Sequence, residues 1–375
     1  MQQYSLTTEH QFSNNDFLSI AYVGALGRHL ARAQAFNEID PANLVADGGV
    51  MNAPALTNIV GSKAADATLN APGDVGQQLC DASGNCQVAT TLIFGEEPSI
   101  FFAPYRGYNG ISEKQNTAVS SYNALQVSFR HTSHGLTLQA AYTWSHAIDD
   151  STSTYQETSG GINDYNMSRW KGTSDLNRTQ VVQLNYIYAL PFFKNSSSAV
   201  ARQALHGWQV SGITSFFTGE PTDFNCGVTG YSTELGGSYR CDVVGKLAID
   251  KHTYDDPVYG PTLSWWNPAV VTQPQFSELS STFGNMGRNM LTGPGRNNWD
   301  MALEKDFRLH GEGTKLQFRL ETFNTFNHTQ YQYANTGCSG STGFGQACNL
   351  NTTNPGEVNS AWSPRNVQLG LKLMF

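Results

Sequence analysis

Asn366-Val-Gln-Leu-Gly-Leu-Lys-Leu-Met-Phe375 closes the chain in strict alternation: Val367, Leu369, Leu371, Leu373 and Phe375 fall on one face of an extended strand, Gln368, Gly370 and Lys372 on the other. A soluble domain rarely ends on five apolar residues at period two, because a terminal strand that frays exposes them all. A membrane barrel does so routinely, since one face of each strand meets lipid and the other a polar lumen. The ending therefore predicts an all-β fold, an antiparallel transmembrane β-barrel with long extracellular loops, in the bacterial cell outer membrane. The same row reads as a terminal assembly signal.

Composition agrees. Only 39% of the 375 residues are apolar, Gly reaches 36 and aromatics make 11%, with abundant Asn, Thr, Ser and Gln. This is a strand-and-turn composition, poor in the long-chain helix formers of bundles. No apolar run approaches the roughly 20 residues of a membrane helix, so any crossing must be by strands. A net charge of −8 and a pI near 5.6 exclude nucleic acid as a partner, since nucleic acid selects basic stripes; a mildly acidic surface otherwise aids solubility.

Period-two segments recur between polar, glycine-rich stretches. Gln2 to Glu9 and Asp16 to Gly24 open the chain, the latter with Phe17, Ser19, Ala21 and Val23 on one face. A long loop region follows at about 37–116. Tyr122 to His131 and Leu136 to Trp144 form a hairpin about His134-Gly135. Thr179 to Leu190 is ended by Pro191, and a short polar connection leads to Trp208 to Phe217. A second long loop region covers about 218–297, and a second hairpin joins Trp299 to Phe307 with Leu316 to Phe323 about His310-Gly-Glu-Gly313. Short turns alternating with long loops mark the two sides of an outer membrane. Tyr142, Trp144, Tyr186, Tyr188, Trp208 and Trp299 stand where interfacial girdles belong; in a soluble sandwich the same rings would fill a core.

The six cysteines fall into close pairs, Cys80 with Cys86, Cys226 with Cys241 and Cys338 with Cys348, none of them in a segment that reads as a strand. The clustering favours neighbour pairing in loops exposed to an oxidising compartment. Zinc spacing is missing. Asp149-Asp150, Asp164 and Asp175 put carboxylates near His146, but no calcium loop is present and no nucleophile, base and orienter assemble from spacing. Ser145 and His146 are adjacent, so they point to opposite faces of a strand. Gly107-Tyr-Asn-Gly110 and Gly284-Asn-Met-Gly287 read as turn chemistry. The expectation is no enzyme, no cofactor, no metal site and no catalytic residue; ligand-binding residues are left open.

Met1 to His10 has no basic n-region, apolar h-region or cleavage site. With strands starting at once, this predicts that the chain is the C-terminal part of a longer one.

Several segments resemble the barrel of TonB-dependent receptors of the Oar-like kind, common in Acidobacteria. They are Tyr22-Val-Gly-Ala-Leu-Gly-Arg-His-Leu30, Tyr122-Asn-Ala-Leu-Gln126, Tyr142-Thr-Trp-Ser-His-Ala-Ile-Asp-Asp150, Gly207-Trp-Gln-Val-Ser-Gly212 and Thr218-Gly-Glu-Pro221. Further along come Gly284-Asn-Met-Gly-Arg-Asn289 with Gly293-Pro-Gly295, Asp300 to Phe307, Arg319 to Asn327 and the terminal strand. They follow the family's order over nearly the whole chain. The resemblance implies uptake of an unidentified extracellular ligand, contact with outer-membrane lipid and the barrel assembly machinery, and action by the TonB complex through N-terminal parts missing here. Those parts are the signal peptide, the plug and the TonB-contacting segment. About ten strands are visible where such a transporter has around 22. Arg130, Asp300, Glu304, Lys315, Arg319, Glu321 and Lys372 would pair across strands or to a plug. The alternative is a secreted β-sandwich adhesin or carbohydrate-binding protein, and a barrel-embedded hydrolase is a third reading.

Overall fold

The computed structural model describes residues 1–35, 45–47, 50–52, 78–80, 86–88, 105, 111–151, 167–224, 240–256, 260–267, 270–272, 284–310, 314–332, 334, 357–358 and 360–375. Nine long strands form its frame: β1 (Gln2–Gln11), β2 (Asp16–Ala35), β3 (Ser112–Ser133), β4 (Leu136–Asp149), β5 (Gln180–Ala189), β6 (Trp208–Phe217), β7 (Arg296–His310), β8 (Thr314–Phe323) and β9 (Asn366–Met374). They pair antiparallel in chain order, and the two-residue strand Gly172–Thr173 adds to β4. β1 and β9 have no partner on their outer sides among the described residues.

The register carries the two-sided pattern across the whole sheet. One row of directly opposed residues runs Leu18, Phe129, Ala140, Leu184, Thr214, Trp299; a second runs Tyr188, Val210, Leu303, Leu320, Leu369. The next row on the opposite face is Phe17, Arg130, Gln139, Asn185, Ile213, Asp300. Because the side-chain period is two, a slip by one residue in any strand would exchange the faces, so the lipid requirement itself selects this register. The apolar row of β9 is bare: Leu369 is 72% and Leu371 70% exposed. A β-sandwich would bury these residues under a facing sheet, and among the described residues none covers them. That alternative is set aside.

Aromatic side chains collect at the two ends of this face. Trp208 packs edge-on against Phe318 with ring centroids 5.8 Å apart, toward the short turns. Trp299 meets Phe216 at 5.9 Å and Phe326 at 5.4 Å, toward the long loops, where Tyr22 and a 56% exposed Trp144 share a register row through Leu125. Tyr186 lies over Gly212, its directly opposed residue; a Cβ there would come 2.6 Å from the Tyr186 hydroxyl, so glycine is what lets the ring lie flat on the strand.

The connections alternate as expected. At one end are the turn at 12–15, the left-handed pair His134 and Gly135 (φ 49° and 82°), the segment 190–207 and the close of the β7–β8 pair, where His310 is opposite Thr314. The segment 190–207 holds the helix α1 (Ala199–Leu205), whose N-cap Ser198 accepts from the Ala201 amide at 3.3 Å. The strands β2 and β3 outrun the alternating stretches that announce them: their pairing continues to Ala35 opposite Ser112. Above the bilayer both faces are wet, so the ladder persists where the hydropathy pattern stops.

The cysteine expectation needs one correction. Cys80 and Cys86 do lie on strands, Gln78–Cys80 and Cys86–Val88, directly opposite in register. Cys226, Cys338 and Cys348 lie outside the described residues, as does Asp164.

Candidate functional site

Among the described residues the principal buried apolar cluster does not belong to the long strands. It forms between β6 and β9 at the long-loop end, from Phe224, Cys241, Trp265, Trp266, Val271, Met286, Leu291, Ala334 and Val358. Short ladders hold it: Asp242–Val243 with Val271–Thr272, Pro221–Thr222 with Leu291–Thr292, and Ile249–Asp256 with Gly260–Trp266 and Glu357–Val358. Trp266 packs edge-on to Phe224 at 5.5 Å. Both indoles, of Trp265 and Trp266, donate to the Thr292 carbonyl at 3.1 and 3.3 Å, so the two rings bury their apolar bodies without stranding an N–H. The Lys251 ammonium sits 3.8 Å from the Trp265 ring centre. Cys241 is wholly buried and disulfide-bonded. Two-residue strands leave no periodicity to read; the signal available in the sequence was the Trp265-Trp266 pair inside a supposed loop.

Gly284-Asn-Met-Gly-Arg-Asn289 joins this unit to β4. Gly284 takes φ 85° where a Cβ would fall 1.8 Å from the Arg240 carbonyl oxygen, a position open only to glycine. Asn285 then bridges the neighbouring strand, donating its amide to Asp242 at 2.8 Å and accepting the Val243 amide at 2.7 Å. This turn delivers Arg288 to a buried position where it pairs with the Asp149 carboxylate, donates to the Asp149 carbonyl at 3.1 Å and reaches Asp175 at 3.1 Å. Ser174 Oγ donates to the second Asp149 oxygen at 2.5 Å, and Asn289 Nδ2 donates to the Thr173 carbonyl at 2.7 Å. Beside it Arg32 pairs with Asp150 at 3.7 Å and lies 6.0 Å from the Trp170 ring centre.

Of the acidic residues that sequence spacing set near His146, Asp149, Asp150 and Asp175 are thus gathered by arginines. Ser145 and His146 point apart: Ser145 Oγ donates to the Arg178 carbonyl at 2.8 Å, while the His146 ring lies 3.4 Å from Thr173 Oγ1. Asp223, on the same unit, has its carboxyl pushed above the ordinary range by burial, against the lowering pull of the Asn289 and Met290 amides and of Arg240 and Arg288.

On the long strands themselves the polar face forms a concavity of about 510 Å³, lined among others by Gln139, Asn185, Asp300, Arg319 and Glu321. Arg319 meets Glu304, its opposed residue, at 3.2 Å and Glu321 at 2.7 Å. Asp300 accepts the Asn324 amide and Asn298 Nδ2, each at 2.9 Å, closing the turn after β8. Of the other candidate lumen residues, Arg130 lies 6.0 Å from the Phe17 ring, Lys372 is opposite Gln317 and Lys315 opposite Arg308. They share the face but not the concavity.

Compared with known proteins, residues 1–368 match the family model described as outer membrane beta barrel domain. Among solved structures, the crystal structure of the outer membrane transporter YddB from Escherichia coli is similar over 100% of this chain, with a TM-score of 0.43 and 8% identity. The match covers 32% of that transporter, so this chain spans about a third of its length. No curated protein matches the chain.

Proposed function

The chain belongs to the family of outer membrane beta barrel domains, and on that premise we propose that it is the C-terminal wall and loop assembly of a TonB-dependent, Oar-like uptake receptor. Its place is the bacterial outer membrane. One observation carries the uptake reading: among the described residues nine long strands stay open at both edges, whereas about eight are enough to close a barrel whose interior is filled by its own side chains. A sheet of this many strands that has not closed belongs to a wider barrel with room for a plug or a channel. Open edges in lipid are costly, so further strands close the wall. The outer membrane holds no nucleotide pool to drive uptake, so a partner spanning the periplasm pulls on a plug that Arg319, Glu304 and Glu321 face. The long loops receive the ligand, and neighbour disulfides (Cys80 to Cys86, Cys226 to Cys241, Cys338 to Cys348) brace them.

The test compares solute uptake in the native bacterium, its gene deletion and the wild type treated with a protonophore. The uptake reading expects at least one solute too large for porins to accumulate in wild type only, and only while the proton gradient stands. Unchanged uptake in the deletion strain, with weakened attachment to surfaces or glycans, would replace it with an adhesive role.

A further inference from the structure

The outward face of the sheet carries a basic groove just above the aromatic level. Tyr22 and Trp144 share one register row through Leu125. Four residues further along, Leu26, Ser121 and Ile148 share another. At about 3.3 Å per residue this is about 13 Å along the strand, and about 10 Å in depth for a strand tilted by about 40°. Rings at the girdle mark the edge of the hydrocarbon, so this second row stands in the headgroup layer.

There β2 is bulged: its register shifts twice between Gly27 and Arg32, and His29 takes φ 55°. A bulge re-aims side chains, and here Arg28 and His29 turn into a groove of about 420 Å³ with Lys171 on its far wall and Leu26, Val119 and Ile148 among its lining residues. Arg28, His29 and Lys171 are exposed. Among the described residues no carboxylate lines the groove; the nearby Asp150 is held by Arg32 at 3.7 Å and by the Val119 amide at 2.8 Å. Cations beside Leu26, Val119 and Ile148, with the hydroxyls of Thr117, Ser120 and Ser121 between them, match at headgroup depth an anionic, hydroxylated head on acyl chains.

We propose that this groove binds a phosphorylated glycolipid of the outer leaflet, Arg28 and Lys171 holding a phosphate and the apolar residues the first methylenes of a chain. The inference rests on membrane placement alone and is independent of uptake. The full-length protein is placed in nanodiscs, and binding of lipid A with two phosphates is measured against the same lipid with its phosphates removed. Wild type is expected to prefer the phosphorylated lipid by about 25-fold, about fivefold for each cation near the surface, and R28Q/K171Q to lose that preference while keeping its heat-modifiable mobility. Equal binding of both lipids by wild type overturns the proposal, whatever the variant does. Competition by inorganic phosphate alone at similar concentration also overturns it, in favour of a soluble phosphate ligand.

Discussion

Arg288 and Asp149, 139 residues apart in sequence, form a buried ion pair that ties the loop unit to the rim of β4. The pair joins two elements that the ladders of the long strands leave unconnected, so the seam between the loop unit and β4 is held by side chains, and its order depends on them.

Removing the arginine should free that seam. Arg288→Met leaves Asp149 buried without its partner, a change that costs about 3–5 kcal/mol. Arg288→Lys should fare nearly as badly, because one ammonium cannot reach Asp149 and Asp175 together as the guanidinium fork does. Hydrogen exchange should rise at 167–178 and 284–293 while the strand amides of β4 to β8 stay protected; unchanged exchange at 284–293 would refute the latch.

The faces of β9 should respond oppositely to charge. Leu371→Arg puts a cation on the lipid row, at about 2–4 kcal/mol near the midplane. A second charge at Gln368, on the lumen row, should cost little. The folded fraction after refolding into lipid vesicles, read by heat-modifiable mobility, reports both, and equal losses would mean the rows do not face different media.

Asp223 should make the loop unit more stable in mild acid. Its folded pKa is raised above the ordinary 3.8 by burial, so the folded state binds the proton more tightly than the unfolded state. Stability therefore rises as pH falls through the raised value and levels off below the unfolded one. Asp223→Asn keeps an acceptor for the Met290 amide, at 3.0 Å from Asp223 Oδ1. It should protect the unit from proteolysis at neutral pH and flatten this part of the pH dependence. A variant cleaved faster than wild type at neutral pH would show that the Arg240 pairing, at 3.9 Å, outweighs burial.

Cys241 is bonded inside the apolar cluster. Reduction, or Cys241→Ala, should remove about 2–4 kcal/mol from the loop unit by freeing its unfolded chain. Thiol reagent should then speed cleavage within 218–295 and leave the barrel's mobility shift intact; cleavage unaffected by reductant would place the stability of the unit in Trp265 and Trp266 alone.

What was legible and what was not divides at the bilayer edge. Val367, Leu369, Leu371 and Leu373 could be assigned a face from sequence because lipid imposes period two on every strand that crosses it. Glu304 and Arg319 could be placed on the lumen side for the same reason, and their pairing at 3.2 Å is the register those rows demand. Beyond the bilayer that constraint lapses. The strands continuing to Ala35 and from Ser112 and the ladders around Val271 rest on contacts between distant segments. Asp149 and Asp175 looked like a lone acidic group until Arg288 arrived from another loop.

Sequence alone therefore determined the medium on each side of the sheet, the strand order that follows from short turns, and the compartment, because these depend on period and local turn chemistry. Only the tertiary structure decided that, among the described residues, the main buried apolar cluster belongs to the long loops, that an arginine fastens it to the rim of β4, and that a bulge in β2 turns Arg28 and His29 into a groove. Each of these is a meeting of residues far apart in the chain, and nothing local in either partner announces the other.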